Sequence, residues 1–439
     1  MSWNLKLGRN RDFSTTAVLI GISTTFLVLA LIRLALPSYL VFDEIFYVGA
    51  AKQLVIGASL ENREHPILGK VFIGIGMIFF GPNSFGWRIA AVVAGALGTF
   101  FVGRAVLSLT RSPAAGLIAS LLIASNFLVF VTSRLALLDP FMFLFAAAGL
   151  SAYATSMRDV EREPRGRMIC ALFLGLAFGC KWSVAPLVVT IAAHMAFCDR
   201  QKPASKIAGA LASFALVFLT SYFVTFAPGF FVRDNPLQLP DILPLQLGMN
   251  QMLGLYIRPH AAASQWWEWV VNVAPMWLVY RDHVLLMAGN PVSMTLIVPI
   301  VLAGLVTRDV RNKVGFSFFL LGYVICLLFW VVNGKPVQFY YHYLLASTLG
   351  LCAVAVALGE WWDRGRKWPA LAVVLASLGC FAAFFPVLSA ANVDPERYAF
   401  LPGWAVDRSK GLPVRPNAEA ELAKMRNCLN HPARYICPL

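Results

Sequence analysis

The sequence predicts an all-α polytopic membrane protein, and three observations carry the prediction. Of 439 residues, 59% are hydrophobic and only 13% charged, about half the charged share of a soluble domain. Apolar runs long enough to cross a bilayer recur from end to end. Lys and Arg gather at every second junction between runs, the pattern of the positive-inside rule. The formal charge of +14 is therefore spread over short loops rather than gathered on one surface, which excludes nucleic acid as a partner.

The first run, 15–36, has no small-residue cleavage site and is long enough to span, so it reads as a signal anchor. Hydropathy and loop charge then place further spans at 84–107, 113–132, 138–157, 167–181, 183–198, 205–227, 290–307, 314–333, 341–362 and 368–390, about eleven in all. Basic clusters such as Lys6/Arg9/Arg11, Arg200/Lys202/Lys206 and Arg364/Arg366/Lys367 mark the cytoplasmic junctions, and the N-terminus lies with them. Residues 1–390 thus form one membrane domain. The tail 391–439 lies on the far side, with two large loops, 37–83 and 228–289. These three segments are rich in Trp, Tyr, Phe, His and acids, which suggests a site at that face. Six cysteines fall in or at the ends of spans, where a thiol acts as a small hydrophobe. Cys428 and Cys437 lie in the far-side tail and are expected to pair in an oxidising compartment.

Chemistry-bearing residues cluster on the same face. Asp43 and Glu44 follow the first span, either capping a helix or offering a carboxylate base at the interface. ENREHPILGK at 61–70 supplies Glu64, His65 and Lys70, in a stretch that Pro66 and Gly69 also suit to a turn. SRLALLDP at 133–140 puts Arg134 and Asp139 where the charge rule disfavours a cation, so the arginine pairs with an acid or binds phosphate. Lys181 stands beside Trp182 at another far-side junction, where snorkelling is the alternative. RPHAAASQWWEWVVN at 258–272 adds Arg258, His260 and an aromatic cluster around Glu268. NGKPVQFYYHYLL at 333–345 brings Lys335, Tyr340, Tyr341 and His342 to the entry of a late span.

In this order the motifs FDE, HP–LGK, SR–LLD, G–KW, H–S–WWEW followed by Asn290-Pro291, and YHY resemble those of the protein O-mannosyltransferases. That family belongs to the C-type glycosyltransferases. Each motif is weak alone; their ordered run over nearly the whole chain is specific. Ile67 stands where the family usually has a second proline. The second large loop, about sixty residues, is too short for the β-trefoil insertion of eukaryotic members, so the chain resembles a bacterial one. The resemblance implies a polyprenyl-phosphate sugar donor, most simply with mannose, and Ser/Thr hydroxyls of secreted or membrane proteins as acceptors. It implies a bacterial plasma (inner) membrane location, with the active site and C-terminus extracytoplasmic. Membrane lipids are necessary neighbours; a dimer or association with the translocon is compatible with it. A lipid A aminoarabinose transferase is a more distant relative, so a lipid or polysaccharide acceptor is the alternative. A transporter or flippase would place charges mid-span, whereas these gather at one face.

A phosphate leaving group needs no general acid, since cations can stabilise its charge. One carboxylate base then suffices, and displacement proceeds with inversion. The resemblance selects Asp43 as that base and leaves Glu44 to orient the acceptor or hold a cation. Arg134, Lys70 and Lys181 are phosphate candidates, Arg134 first, with Asp139 orienting Arg134 or touching the sugar. His65, His260, Tyr341 and His342 are expected at donor or acceptor. Glu64 and the histidines have the donor atoms for a divalent metal but no ligand spacing, so no cofactor is expected.

Overall fold

The computed structural model describes residues 2–158, 163–255, 262–280, 283–306, 314–335 and 337–394. The chain is a bundle of helices, taken in order: α1 Ser2–Leu31, α2 Glu44–Val55, α3 Leu68–Phe80, α4 Ser84–Thr110, α5 Pro113–Ala124, α6 Phe127–Thr132, α7 Asp139–Ser156, α8 Glu163–Cys180, α9 Ala185–Cys198 and α10 Ala204–Val224. Then come α11 Ile242–Leu255, α12 Trp266–Val270, a hairpin of β1 Met276–Tyr280 and β2 Val284–Met287, α13 Pro291–Thr295, α14 Ile297–Val306, and the helices here numbered α15 Val314–Val332, α16 Leu344–Asp363 and α17 Trp368–Leu388. Among the described residues, six helices are long and apolar enough to cross a membrane by length and composition, and four shorter ones are comparably apolar.

Each predicted run falls on a helix or on two in tandem, and the breaks have physical causes. The run 113–132 starts cleanly because Ser112 accepts from the Ala115 N–H at 3.1 Å, with Pro113 in the first turn. It divides at Ser125–Asn126. Asn126 caps α6 through the Leu128 N–H at 2.9 Å, while the freed Ser125 carbonyl accepts from Asn290 Nδ2 at 2.9 Å. A buried side-chain amide thus replaces the lost helical donor. Asn290 also donates to the Ser377 carbonyl, tying α17 to the same point.

The two large loops carry secondary structure of their own. Residues 37–83 hold α2 and α3, and residues 228–289 hold α11, α12 and the antiparallel hairpin, a small departure from an all-α chain. All four residues of β2 are buried, so the hairpin is part of the core rather than an exposed flap. Phe226, Tyr222, Leu245 and Met249 form a second apolar cluster with Leu60 and Ile67, which seats α11 over the loop 61–67. WWEW divides in role. Trp269 is fully buried with its Nε1–H on Ser264 Oγ at 2.7 Å, whereas Trp267 is exposed. Glu268 accepts from the Gln265 N–H at 2.7 Å and closes its own helical turn.

Helix α16 is the spine. Gly, Ala, Ser and Cys let its neighbours approach on all sides, and a Cβ at Gly359 would come within 2.7 Å of the Ala115 backbone on α5. By contrast α10 is left largely uncovered by the rest of the chain and forms an apolar edge. The start of α2, the loop 61–67, the α8–α9 junction and the turn before α16 converge at one end of the bundle.

Candidate active site

Two adjoining cavities open at that end, of about 500 and 430 Å³, and share Glu64, His65, Lys181 and Lys335 as walls. Asp43 and Tyr341 face the larger; His342 faces the smaller, whose apolar walls include Phe178, Trp182, Phe329 and Trp330. The sequence therefore brings Asp43, Glu64, His65, Lys181, Tyr341 and His342 together from four separated segments.

Asp43 sits just before α2 but makes no capping hydrogen bond, so the capping alternative is overturned. The preceding Phe42 has a left-handed backbone, φ 53°, a conformation that costs a bulky residue energy and that clusters at functional sites. Its ring packs edge-on against Phe339 and Tyr341 at 5.6 and 5.9 Å, which holds that conformation. Asp43 then turns into the cavity and accepts a hydrogen bond from Tyr341. Burial pushes its pKa up to about 6; Lys181, Lys335 and the Tyr341 bond oppose that shift and Asp139 reinforces it.

Opposite stand two ammonium groups. Lys181 lies 2.7 and 2.8 Å from the two carboxylate oxygens of Asp139 and 4.4 Å from the centre of the Tyr341 ring. Asp139 thus orients Lys181 rather than Arg134, correcting that expectation. Lys335 is held by burial to a pKa of about 8, with Lys181 adding to the depression and Asp43 and Asp139 opposing it. Its Nζ is 3.4 Å from His342 Nε2. The Phe339 N–H donates to His342 Nδ1 at 2.9 Å, so the neutral ring carries its proton on Nε2. An ammonium and an imidazole N–H side by side are two donors without an acceptor between them, an arrangement suited to an anion. His342 is fixed by stacking on Trp330 at 4.1 Å. Burial, then the charges of Lys181, Lys70 and Lys335, push the His65 pKa well down, leaving a neutral ring against Tyr47.

Three expected contacts lie elsewhere. Glu44 is fully buried, and its oxygens accept from Arg88 Nε and Nη2 at 2.8 Å and from the Val41 and Ala136 N–H groups at 2.9 Å. It holds a cation, as one expectation had it, but its carboxylate is saturated and does not reach the acceptor. Arg134 donates to the carbonyls of Ala30, Ile32, Arg33 and Ser389 at 2.5 to 3.2 Å. It closes the open carbonyl end of α1 and lines neither cavity, so it is not the phosphate ligand. Lys70 donates to the carbonyls of Glu61, Asn62 and His65 at 3.3, 2.6 and 2.9 Å, shaping the loop rather than binding phosphate. Glu64 accepts from Asn62 Nδ2 at 2.7 Å. No three His, Cys, Asp or Glu side chains among the described residues are placed to hold a metal ion. His260, Cys428 and Cys437 lie outside the described residues, as does nearly all of the tail.

Two residues escaped the sequence-based assignment. Arg88 falls within the apolar run 84–107, where an arginine is itself a signal. Lys335 repeats the signal of Lys181, a cation on the disfavoured face, and the structure adds it to the cavity wall.

Residues 64–225 match the family described as dolichyl-phosphate-mannose-protein mannosyltransferase. The chain is 25% identical to the polyprenol-phosphate-mannose–protein mannosyltransferase of Mycolicibacterium smegmatis, covering 83% of this chain and 87% of that one. Its fold is that of the S. cerevisiae protein O-mannosyltransferase Pmt1–Pmt2 complex bound to the sugar donor (TM-score 0.76, 12% identity, 92% of this chain and 94% of that one). It also resembles ArnT from Cupriavidus metallidurans bound to undecaprenyl phosphate (TM-score 0.56, 12% identity, 85% and 76%).

Proposed function

We propose that this chain, whose residues 64–225 match the family described as dolichyl-phosphate-mannose-protein mannosyltransferase, moves mannose from a polyprenyl-phosphate donor to Ser or Thr hydroxyls of translocated proteins. The carrying observation is that the Asp43 carboxylate lines one cavity together with two ammonium groups, Lys181 and Lys335. The acceptor hydroxyl enters beside Asp43 in the larger cavity. The donor phosphate lies on Lys335, Lys181 and the His342 Nε2–H, and the aromatic walls of the smaller cavity take the first isoprene units. Glu64 and His65, in the shared wall, border the sugar.

The acceptor oxygen forms a bond to the anomeric carbon while Asp43 takes its proton. The bond from that carbon to the phosphate oxygen breaks, and its electron pair leaves with the polyprenyl phosphate. Lys335 and Lys181 stabilise this charge without donating a proton. Attack opposite the leaving group inverts the anomeric centre. In this reading the reaction end is extracytoplasmic, the N-terminus is cytoplasmic, and the membrane is the bacterial inner membrane.

Purified protein incubated with polyprenyl-phosphate mannose and a Ser/Thr-rich peptide should give mannosyl-peptide of inverted configuration. Retained configuration excludes single displacement, and mannose on lipid alone transfers the reading to a lipid acceptor.

The pH profile follows from the two shifted groups. A base must be unprotonated, so kcat/KM rises as pH increases through about 6. A phosphate-binding ammonium must be protonated, so the rate falls as pH rises past about 8. Lys335→Met lowers kcat/KM by about 10²-fold and removes the alkaline limb only. If that limb persists in the variant, Lys335 is not the group that titrates.

A further inference from the structure

At the end of the bundle away from the reaction cavities, a groove of about 550 Å³ lies between α1, α5, α16 and α17. We propose that it holds a phospholipid of the leaflet opposite the reaction site, one whose headgroup carries an ammonium beside its phosphate. The volume lies within the ordinary range for small-ligand sites. Leu117, Ile118, Leu121, Leu371 and Val374 line its walls, a surface suited to an acyl chain.

Charge is confined to the rim and is of both signs. Ser14 and Asp363 line the mouth, and Asp363 is exposed. The next turn carries Arg366 and Lys367, both exposed. That turn is fixed. Gly365 has φ 85°, its N–H donates to the Trp362 carbonyl at 2.9 Å, and the Arg366 N–H donates to the Trp361 carbonyl at 2.9 Å. Lys367 Nζ lies 5.5 Å from the ring centre of Trp362, which itself lines the groove, so a cation is stationed at the opening. Arg364 is engaged with Glu360 and takes no part. Trp361 and Trp368 are exposed on the same level, as belt residues at a membrane–water boundary are.

Basic rims of this kind between spans bind lipid phosphate. A headgroup with a phosphate and no ammonium leaves Asp363 without a partner. A zwitterionic one places its phosphate toward Lys367 and Arg366 and its ammonium toward the carboxylate, using both signs of the rim.

The groove and the reaction site lie at opposite ends of one helix. Helix α16 starts directly after Tyr341 and His342 and ends at Asp363, about 30 Å away at 1.5 Å per residue. Its window is 94% buried, whereas that of its neighbour α17 is 33% buried. A lipid wedged between α5, α16 and α17 completes the packing of α17 and stabilises the folded chain by mass action.

The test is native mass spectrometry of the full chain in detergent, offered phosphatidylethanolamine and phosphatidylglycerol with identical acyl chains. One phosphatidylethanolamine should be retained, by about fivefold over phosphatidylglycerol, the discrimination one rim ion pair supplies. Asp363→Asn should erase that preference, and Lys367→Ala should weaken both lipids. Leu117→Trp should abolish retention, with mannosyl transfer in detergent unchanged. Preference for phosphatidylglycerol, equal retention of both lipids by the wild-type chain, or no retained lipid overturns the proposal. Because Asp363 and Lys367 are exposed, their variants remain informative if Leu117→Trp fails to fold.

Discussion

Asp43→Asn reduces turnover by about 10³-fold or more, at the upper end of what a positioned base contributes, while leaving the protein at least as stable as the parent. The two halves have one cause. Asp43 is half-buried, and its pKa is raised to about 6 mainly because the folded protein penalises the charge. For an acid with a raised folded pKa, the fully charged state at neutral pH is the strained one, so a neutral isostere relieves that penalty above about pH 6. Asn fills nearly the same volume and still accepts the Tyr341 hydroxyl bond. It cannot take a proton from an acceptor hydroxyl. The measurement is kcat with donor and peptide saturating, beside the thermal midpoint in the same detergent. A variant that loses activity together with stability assigns Asp43 to architecture; one that keeps activity removes it from the chemistry.

The neighbour of that residue shows where sequence reading stops. Hydropathy and loop charge reached the helical bundle and the end that carries the site, because both are set by composition over long windows. Motif order reached Asp43, Lys181, Tyr341 and His342. It could not separate residues that touch the cavity from those that build it. Glu44, Lys70 and Arg134 have the right types on the right face, yet their donors and acceptors are taken up by partners inside the fold: the Arg88 side chain for Glu44, loop carbonyls for Lys70, and carbonyls as remote as Ser389 for Arg134. A linear pattern carries no record of such pairing. Lys335 presents the reverse case: a lone lysine before a Pro looks like a loop residue until the Asp43 segment is folded beside it.

Glu44→Gln is expected to act in the opposite way to Asp43→Asn, destabilising the fold by about 3–5 kcal/mol, the cost of leaving one charge of a buried pair unmatched. Arg88 lies wholly buried, and besides Glu44 it donates to the carbonyls of Leu34, Pro37 and Tyr39 at 3.1, 2.8 and 3.0 Å. The pair thus fixes the turn after α1, the start of α2 and, through the Ala136 N–H, the α6–α7 linker. Gln matches the shape but supplies one acceptor where the carboxylate used both oxygens for four bonds. Arg88→Lys should fail nearly as badly, because a single ammonium cannot reach three carbonyls and a bidentate carboxylate together. Removing both charges in Glu44→Gln/Arg88→Met should cost less than the sum of the single changes, since neither charge is then stranded. Thermal unfolding of the purified variants and their monodisperse yield measure this. A Glu44→Gln protein with the parent's thermal midpoint but no transfer would return Glu44 to the reaction. A midpoint that falls, with kcat per folded molecule largely kept, makes it a residue of the architecture.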